Sequence, residues 1–285
     1  MFLEQYRAGF EEQLLLAIDR MGEKSRLRDA CEYALLSGGK RLRPVIVLMT
    51  ADAIGLGLDV YPAAMSVEFF HTASLIADDL PCMDNDSLRR KRPSLHRVFG
   101  ENLAILASYT LIAEGYGGIR LNQEKMKAVP SCSENASEVA LLCLQFATLC
   151  GGMQGATHGQ FLDLYPPDQS WKTAQRTIIQ KTSTLFEISF LFGWLFGGGK
   201  TAFLPELRSC ARHLGMAFQI ADDLEDHAHE IKTGKMNAAF LLGKEKAQLL
   251  FTQELNSFRG SLQKLGLWTS PFQELYELLN CCIHK

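Results

Sequence analysis

Apolar residues recur at intervals of three and four along most of this chain. The pattern runs through Phe2 to Met21, Val45 to Ile54, Met65 to Ile76, Leu103 to Ile119, Ser137 to Leu149, Thr173 to Phe196, Leu204 to Leu224 and Lys244 to Leu265. That is the period of helices that bury one face. Two-residue alternation, the mark of half-buried strands, is not convincing anywhere. Nine prolines punctuate the sequence, and Pro44, Pro62, Pro81, Pro93, Pro130, Pro166, Pro167 and Pro205 fall at apparent breaks, where a missing N–H and a fixed φ interrupt helices. The reading predicts an all-α bundle of about ten helices. No low-complexity linker or tandem period divides it, so residues 1–285 are expected to form one domain.

Composition narrows the classes. The chain has 285 residues, 47% hydrophobic and 21% charged, enough to bury a large core. A net charge of −3 and a pI near 6.2 supply no global basic field, so no nucleic-acid partner is expected. The eight cysteines contain no C-x-x-C pair and read as free thiols of a reducing compartment. Met1 to Arg20 carries Glu4, Arg7, Glu11, Glu12 and Asp19 among its apolar residues, an amphipathic helix in place of a targeting segment. No uninterrupted apolar run reaches the roughly 18 residues of a membrane span. A soluble, cytoplasmic protein is expected.

Candidate chemistry sits in two acidic clusters far apart in sequence, Asp78-Asp79-Leu80-Pro81-Cys82-Met83-Asp84 and Asp222-Asp223-Leu224-Glu225-Asp226, each closing an apolar helix. Carboxylates beside a core are costly unless their charge is offset. Hard oxygen ligands of this kind suit Mg²⁺, which completes its octahedron with water and phosphate oxygens. Asp222 and Asp226, four apart, project from one helix face, with Asp223 turned aside by about 100°. Asp78 and Asp84 are six apart, and Pro81 must end or deform the helix before a turn can bring Asp84 back. Two basic runs, Gly39-Lys40-Arg41-Leu42-Arg43 and Arg89-Arg90-Lys91-Arg92, add the positive charge a diphosphate needs.

These residues form an ordered set. Gly38-Gly39-Lys40-Arg41-Leu42-Arg43-Pro44 is followed by SLIADDLPCMDNDSLRRKRPS from Ser74 to Ser94, then His96 and Phe99-Gly100-Glu101. Gly159-Gln160-Phe161-Leu162-Asp163, Lys181-Thr182 and Phe218-Gln219-Ile220-Ala221-Asp222-Asp223-Leu224-Glu225-Asp226 complete it. In this order the motifs resemble the trans-isoprenyl diphosphate synthases of the polyprenyl synthetase family, especially the bacterial farnesyl and plant-type geranylgeranyl enzymes. The resemblance covers about residues 38 to 243.

It implies an isoprenoid-synthase bundle around a central cavity, a homodimer with helices such as Ile105 to Ile119 at its interface, and a prenyltransferase reaction. An allylic diphosphate ionises, isopentenyl diphosphate attacks the cation, and a proton leaves to the departing diphosphate. Mg²⁺, three ions with substrate bound, would be held by Asp78, Asp79, Asp84, Asp222 and Asp226, with Asp79, Asp223 and Asp226 able to act one shell further out. Arg89, Lys181, Thr182, Gln219 and Lys235 are assigned to the allylic diphosphate. Lys40, Arg43, His71 and Arg90 are assigned to isopentenyl diphosphate. His71 also belongs to Glu68-Phe69-Phe70-His71, the E-x-x-H spacing of di-iron bundles, but the chain has no second such motif.

Ala73 and Ser74, about one turn before Asp78, stand where the family sets the floor of the product tunnel. A small Ala73 predicts a product longer than C15, geranylgeranyl diphosphate first and farnesyl diphosphate next, with Phe69, Phe70 and Phe146 as competing blockers. The chain departs from the family's pattern at Ala77, Ser87 and Tyr109, and in the segment after Asp226, where Lys232 and Lys235 lie only three apart. These departures support one alternative, a non-catalytic subunit that regulates a related synthase; a second, a terpene cyclase, would not need the isopentenyl pocket of Lys40, Arg43 and Arg90, whose presence speaks against it.

Overall fold

The computed structural model describes residues 1–225 and 236–283. Its centre is α10 (Thr184–Phe196), all of whose residues are buried. TLFEISFLFGWLF is apolar on every side, so the helix can only lie inside other helices. Packed around it are α3 (Leu42–Ile54), α4 (Tyr61–Asp78), α7 (Ala136–Gly151) and α11 (Leu204–Glu225). The long α6 (Glu101–Lys127) lies along α4, with α1 (Phe2–Asp19) and α2 (Arg26–Leu35) beside them. Helices α5 (Leu95–Phe99), α8 (Ala156–Leu164), α9 (Trp171–Ile178), α12 (Ala238–Leu242), α13 (Lys244–Lys264) and α14 (Ser270–Asn280) complete the bundle.

The all-helical expectation holds, with more helices than the ten anticipated. Short α2, α5, α8 and α12 carry too few apolar residues to register as periodic stretches. Three local features bear on the site, the first of them as expected. First, α4 stops at Asp78, as Pro81 requires, and the returning chain donates from the Asp84 N–H to the Asp78 carbonyl at 2.9 Å. Second, Leu88–Arg89 and Arg92–Pro93 form a small antiparallel hairpin, β1 and β2. Its turn residues, Arg90 and Lys91, both have positive φ, the conformation that suits a tight two-residue hairpin. Third, the expected continuous helix from Thr173 to Phe196 is interrupted by one wide π turn, Ile179–Ser183. Such turns widen a helix by one residue and frequently mark functional positions.

Among the described residues, one stretch, 133–164, is long and apolar enough to be considered for crossing a bilayer. It is not one helix, since the chain turns between α7 and α8.

Arg41 ties the basic run to the bundle. It lies at the N-terminus of α3 in the left-handed region (φ 50°), a conformation that costs about 1–2 kcal/mol for a side chain of this size. Its guanidinium offsets that cost, bonding Glu11 of α1 at 2.8 Å, Glu68 of α4 and the Leu35 carbonyl at the end of α2. Arg41 and Glu68 are each only 1% exposed at the side chain. Removing one partner of such a buried pair strands the other charge. Glu68→Gln is therefore expected to lower unfolding free energy by about 3–5 kcal/mol, and Glu11→Gln, whose carboxylate is 36% exposed, by about 0–1 kcal/mol. Urea unfolding of the two variants checks this, and equal losses would contradict it.

Candidate active site

The first acidic cluster is split in role by its geometry. Asp78, on the last turn of α4, and Asp84, returned by the Pro81 turn, share the backbone bond described above. Burial, with the Asp84 charge nearby, pushes the Asp78 carboxyl up to about 6 against the opposing pull of Lys181. Burial raises a carboxyl in this way by taking water from its charged form. Asp79 faces elsewhere. It is 3% exposed, and both its oxygens accept from the Arg89 guanidinium of β1, which also reaches Asp86. Burial works against both charges, but Asp79 outweighs it for Arg89 and holds that guanidinium above its ordinary value.

Lys181 connects this cluster to the second one. It sits in the π turn, donates to Asp163 of α8 at 2.6 Å, and feels Asp78 and Asp84. Burial opposes its ammonium, yet the three carboxylates together raise its pKa. Gly159 permits this arrangement, because a Cβ there would lie 2.3 Å from the Lys181 backbone nitrogen. Next in the turn, the Thr182 hydroxyl donates to Gln219 Oε1 at 3.0 Å, and Gln219 Nε2 donates to Asp223 Oδ1 at 2.9 Å. Asp223 also accepts from the Ala238 N–H through Oδ2, and its carbonyl accepts from Asn237, so it fastens α11 to the start of α12. A cavity of about 140 Å³ opens here, lined by Asp163, Lys181, Thr182, Gln219 and Asp223 with apolar residues of α9.

The basic residues assigned to the second substrate converge on the same centre. Lys40 Nζ lies 5.6 Å from the Phe218 ring of α11, and the Arg43 guanidinium 4.6 Å from Phe186 of α10. Burial lowers the Arg43 pKa to about 10, with Glu68 and Asp222 resisting that fall and Arg90 adding to it. His71 Nε2 stands 3.3 Å from Arg43 Nη1. Burial and the charges of Arg43 and Arg90 keep its pKa well below the usual histidine value. Arg43 Nε and His71 Nδ1 are buried and lack a hydrogen-bond partner. Gly39 allows a close approach, but to the Arg90 guanidinium, whose nearest atom would be 2.4 Å from an added Cβ. Arg90 in turn donates to the Gly38 carbonyl. Glu68 is committed to Arg41, which removes the di-iron reading of Glu68 and His71.

The two acidic walls thus share one centre, since Lys181 feels Asp78 and Asp84 while its neighbour Thr182 bonds the α11 network, and Arg43 feels Asp222. Among the described residues no three His, Cys, Asp or Glu cluster closely enough to cage a metal by themselves. Mg²⁺ does not need such a cage, because one or two carboxylates and substrate phosphates suffice. Asp78 and Asp84, brought together by the Pro81 turn, fit that demand, whereas Asp79, engaged by Arg89, does not. Ala73 is fully buried, its carbonyl accepting from Ser108 of α6, and the Ser74 hydroxyl donates to the His71 carbonyl. Asp226, Lys232 and Lys235 lie outside the described residues. Sequence reasoning placed Asp163 in a motif without a role, and the π turn that aims Lys181 left no periodic signal.

Comparison with known proteins agrees with this geometry. The family model for polyprenyl synthetases matches residues 24–256. A farnesyl diphosphate synthase of Geobacillus stearothermophilus is 36% identical over 239 residues, 82% of this chain and 77% of its own length. The large subunit 1 of a chloroplastic heterodimeric geranylgeranyl pyrophosphate synthase of Arabidopsis thaliana is 33% identical over 92% of this chain and 73% of its own. Among solved structures, a geranyltransferase from Legionella pneumophila superposes with a TM-score of 0.87 at 26% identity, covering 99% of this chain and 97% of that one. The chain belongs to the polyprenyl synthetase family of prenyltransferases.

The buried His71 sets a pH dependence of stability. Its folded pKa lies far below the value near 6.5 of an unfolded chain, so below about pH 6.5 the unfolded state binds the extra proton and folding weakens as pH falls. Between pH 7 and 5 the wild type is expected to lose more unfolding free energy than His71→Gln. Parallel urea titrations check this, and identical slopes would remove the neutral-imidazole assignment.

Proposed function

We propose that this prenyltransferase condenses isopentenyl diphosphate head-to-tail with an allylic diphosphate in a Mg²⁺-dependent reaction and releases a short all-trans prenyl diphosphate, geranylgeranyl diphosphate by preference. The observation that carries the reading is the convergence of charge between the two acidic clusters: Lys181, bonded to Asp163, is attracted by Asp78 and Asp84, while Arg43, beside His71, is attracted by Asp222.

Asp78, Asp84 and Asp222 would hold the cations, with Asp226 added from beyond the described residues. Bound there, Mg²⁺ would neutralise the negative charge that develops on the leaving diphosphate as the carbon–oxygen bond breaks. Asp79 is assigned to orienting Arg89, so that the guanidinium presents its free edge to the allylic diphosphate. Lys181, Thr182 and Gln219 form the opposite side of that subsite, joined by Lys235. Lys40, Arg43, His71 and Arg90 bind the second diphosphate without a metal, which leaves its bond to carbon intact. Arg43 and His71 would each give a diphosphate oxygen a donor that now has none. The departing diphosphate takes the final proton, and no side-chain base is required.

Two further points support the particulars. Ala73 puts a small side chain five residues before Asp78, where the family sets its chain-length floor, in keeping with a tail longer than C15. An apolar face runs over α6 and α7 through Ile105, Leu106, Tyr109, Leu141 and Leu144, all exposed. It is suited to pairing with a second copy of the chain, the homodimer that the resemblance to the family implies.

Purified protein incubated with Mg²⁺, isopentenyl diphosphate and each allylic primer tests the reading. Chain elongation supports it, a cyclic hydrocarbon points to a cyclase, and no turnover points to a regulatory subunit. Asp78→Ala and Asp222→Ala are each expected to lower turnover by about 10²-fold or more with unchanged far-UV circular dichroism, and near-normal rates in a folded variant would refute the metal assignment. Ala73→Tyr is expected to shift the product toward C15. An unchanged product spectrum from a folded variant places the floor elsewhere.

A further inference from the structure

Lys181 stands among three carboxylates. Its direct hydrogen bond goes to Asp163, at 2.6 Å, while Asp78 and Asp84 attract it through charge. The bond is well placed to persist. Asp163 lies on the last turn of α8, and α8 is locked to the π turn twice: at Gly159, whose hydrogen side touches the Lys181 backbone, and by His158 Nδ1 to Gln180 Oε1 at 2.8 Å. Both side chains of the pair are largely shielded, 28% exposed for Lys181 and 15% for Asp163. An ammonium released from Asp163 would have Asp78 and Asp84 as its remaining counter-charges, and there it would compete with a divalent cation for the same oxygens.

We infer that Asp163 is a positioning residue that holds the Lys181 ammonium away from Asp78 and Asp84 and so reserves those two carboxylates for the cation. The inference rests on the assignment of Asp78 and Asp84 as Mg²⁺ ligands. Asp163 touches no reacting atom in this scheme. It acts through Lys181, and its loss is felt as weaker cation binding.

The test reads cation binding without turnover. The thermal midpoint of the whole protein is measured against MgCl₂ at fixed inorganic pyrophosphate, for wild type, Asp163→Ala, Asp163→Glu, Lys181→Ala and the Asp163→Ala/Lys181→Ala pair. Asp163→Ala is expected to raise the Mg²⁺ concentration for half-maximal shift by about fivefold, the scale of one partly shielded ion pair, and Asp163→Glu to recover most of it. In the Lys181→Ala background, Asp163→Ala is expected to change nothing. Three results would overturn the proposal: no change in a folded Asp163→Ala protein, an undiminished change in the Lys181→Ala background, which would make Asp163 a direct cation ligand, or no recovery with Asp163→Glu. A wild type with no Mg²⁺-dependent shift overturns the ligand assignment itself, which separates the two failures.

Discussion

Like charges crowded against an apolar interior set the terms for this protein. Asp78 lies on α4 with Asp79 just past its end, Asp222 and Asp223 lie on α11, and Asp163 lies on α8, all at the edge of the apolar core, and each must find compensation locally. The structure supplies it unevenly. Asp79 receives a guanidinium, Asp163 an ammonium and Asp223 the amide of Gln219 together with a backbone N–H. Asp78 is drawn toward its charged form by Lys181 and Arg89, but burial prevails and raises its carboxyl to about 6. That inequality sets Asp79, Asp163 and Asp223, each held by direct hydrogen bonds, apart from Asp78, where burial prevails, although all four are the same residue type.

The same constraint explains why the basic side is built on a buried pair. Arg41 spends its charge on Glu11 and Glu68 inside the bundle, which fixes the backbone on either side of it. Lys40 and Arg43, its near neighbours in sequence, are then held against aromatic rings of α11 and α10 with their charge facing the shared centre. Arg90 reaches that centre from a different direction, on a hairpin whose two left-handed residues turn it toward the Gly38 carbonyl.

Much of the site was legible in the sequence because chemistry-bearing residues cluster there: two acid runs, two basic runs and a Lys-Thr pair in a fixed order. Pro81 was informative for a single steric reason, and its effect on Asp84 follows from it. Other features left no trace. The π turn adds one residue to a helix without altering composition, so the pattern from Thr173 to Phe196 read as continuous. Arg41 was not separated from Lys40 and Arg43, because burial of a charge depends on partners 27 and 30 residues away. Asp79 looked equivalent to Asp78 until the hairpin placed Arg89 against it. Helix α2, RLRDACEYAL, hides its short apolar stripe among charges.

The wide turn at Ile179–Ser183 has a consequence for how this sequence can vary. In an ordinary helix each residue advances the azimuth by about 100°, so deleting one residue there would restore regular winding and swing Lys181 and Thr182 relative to α10. Side-chain replacements nearby alter only what a position carries, while an indel alters where every preceding position points. Drift in this family should therefore tolerate spelling changes along that stretch far more readily than changes in its length.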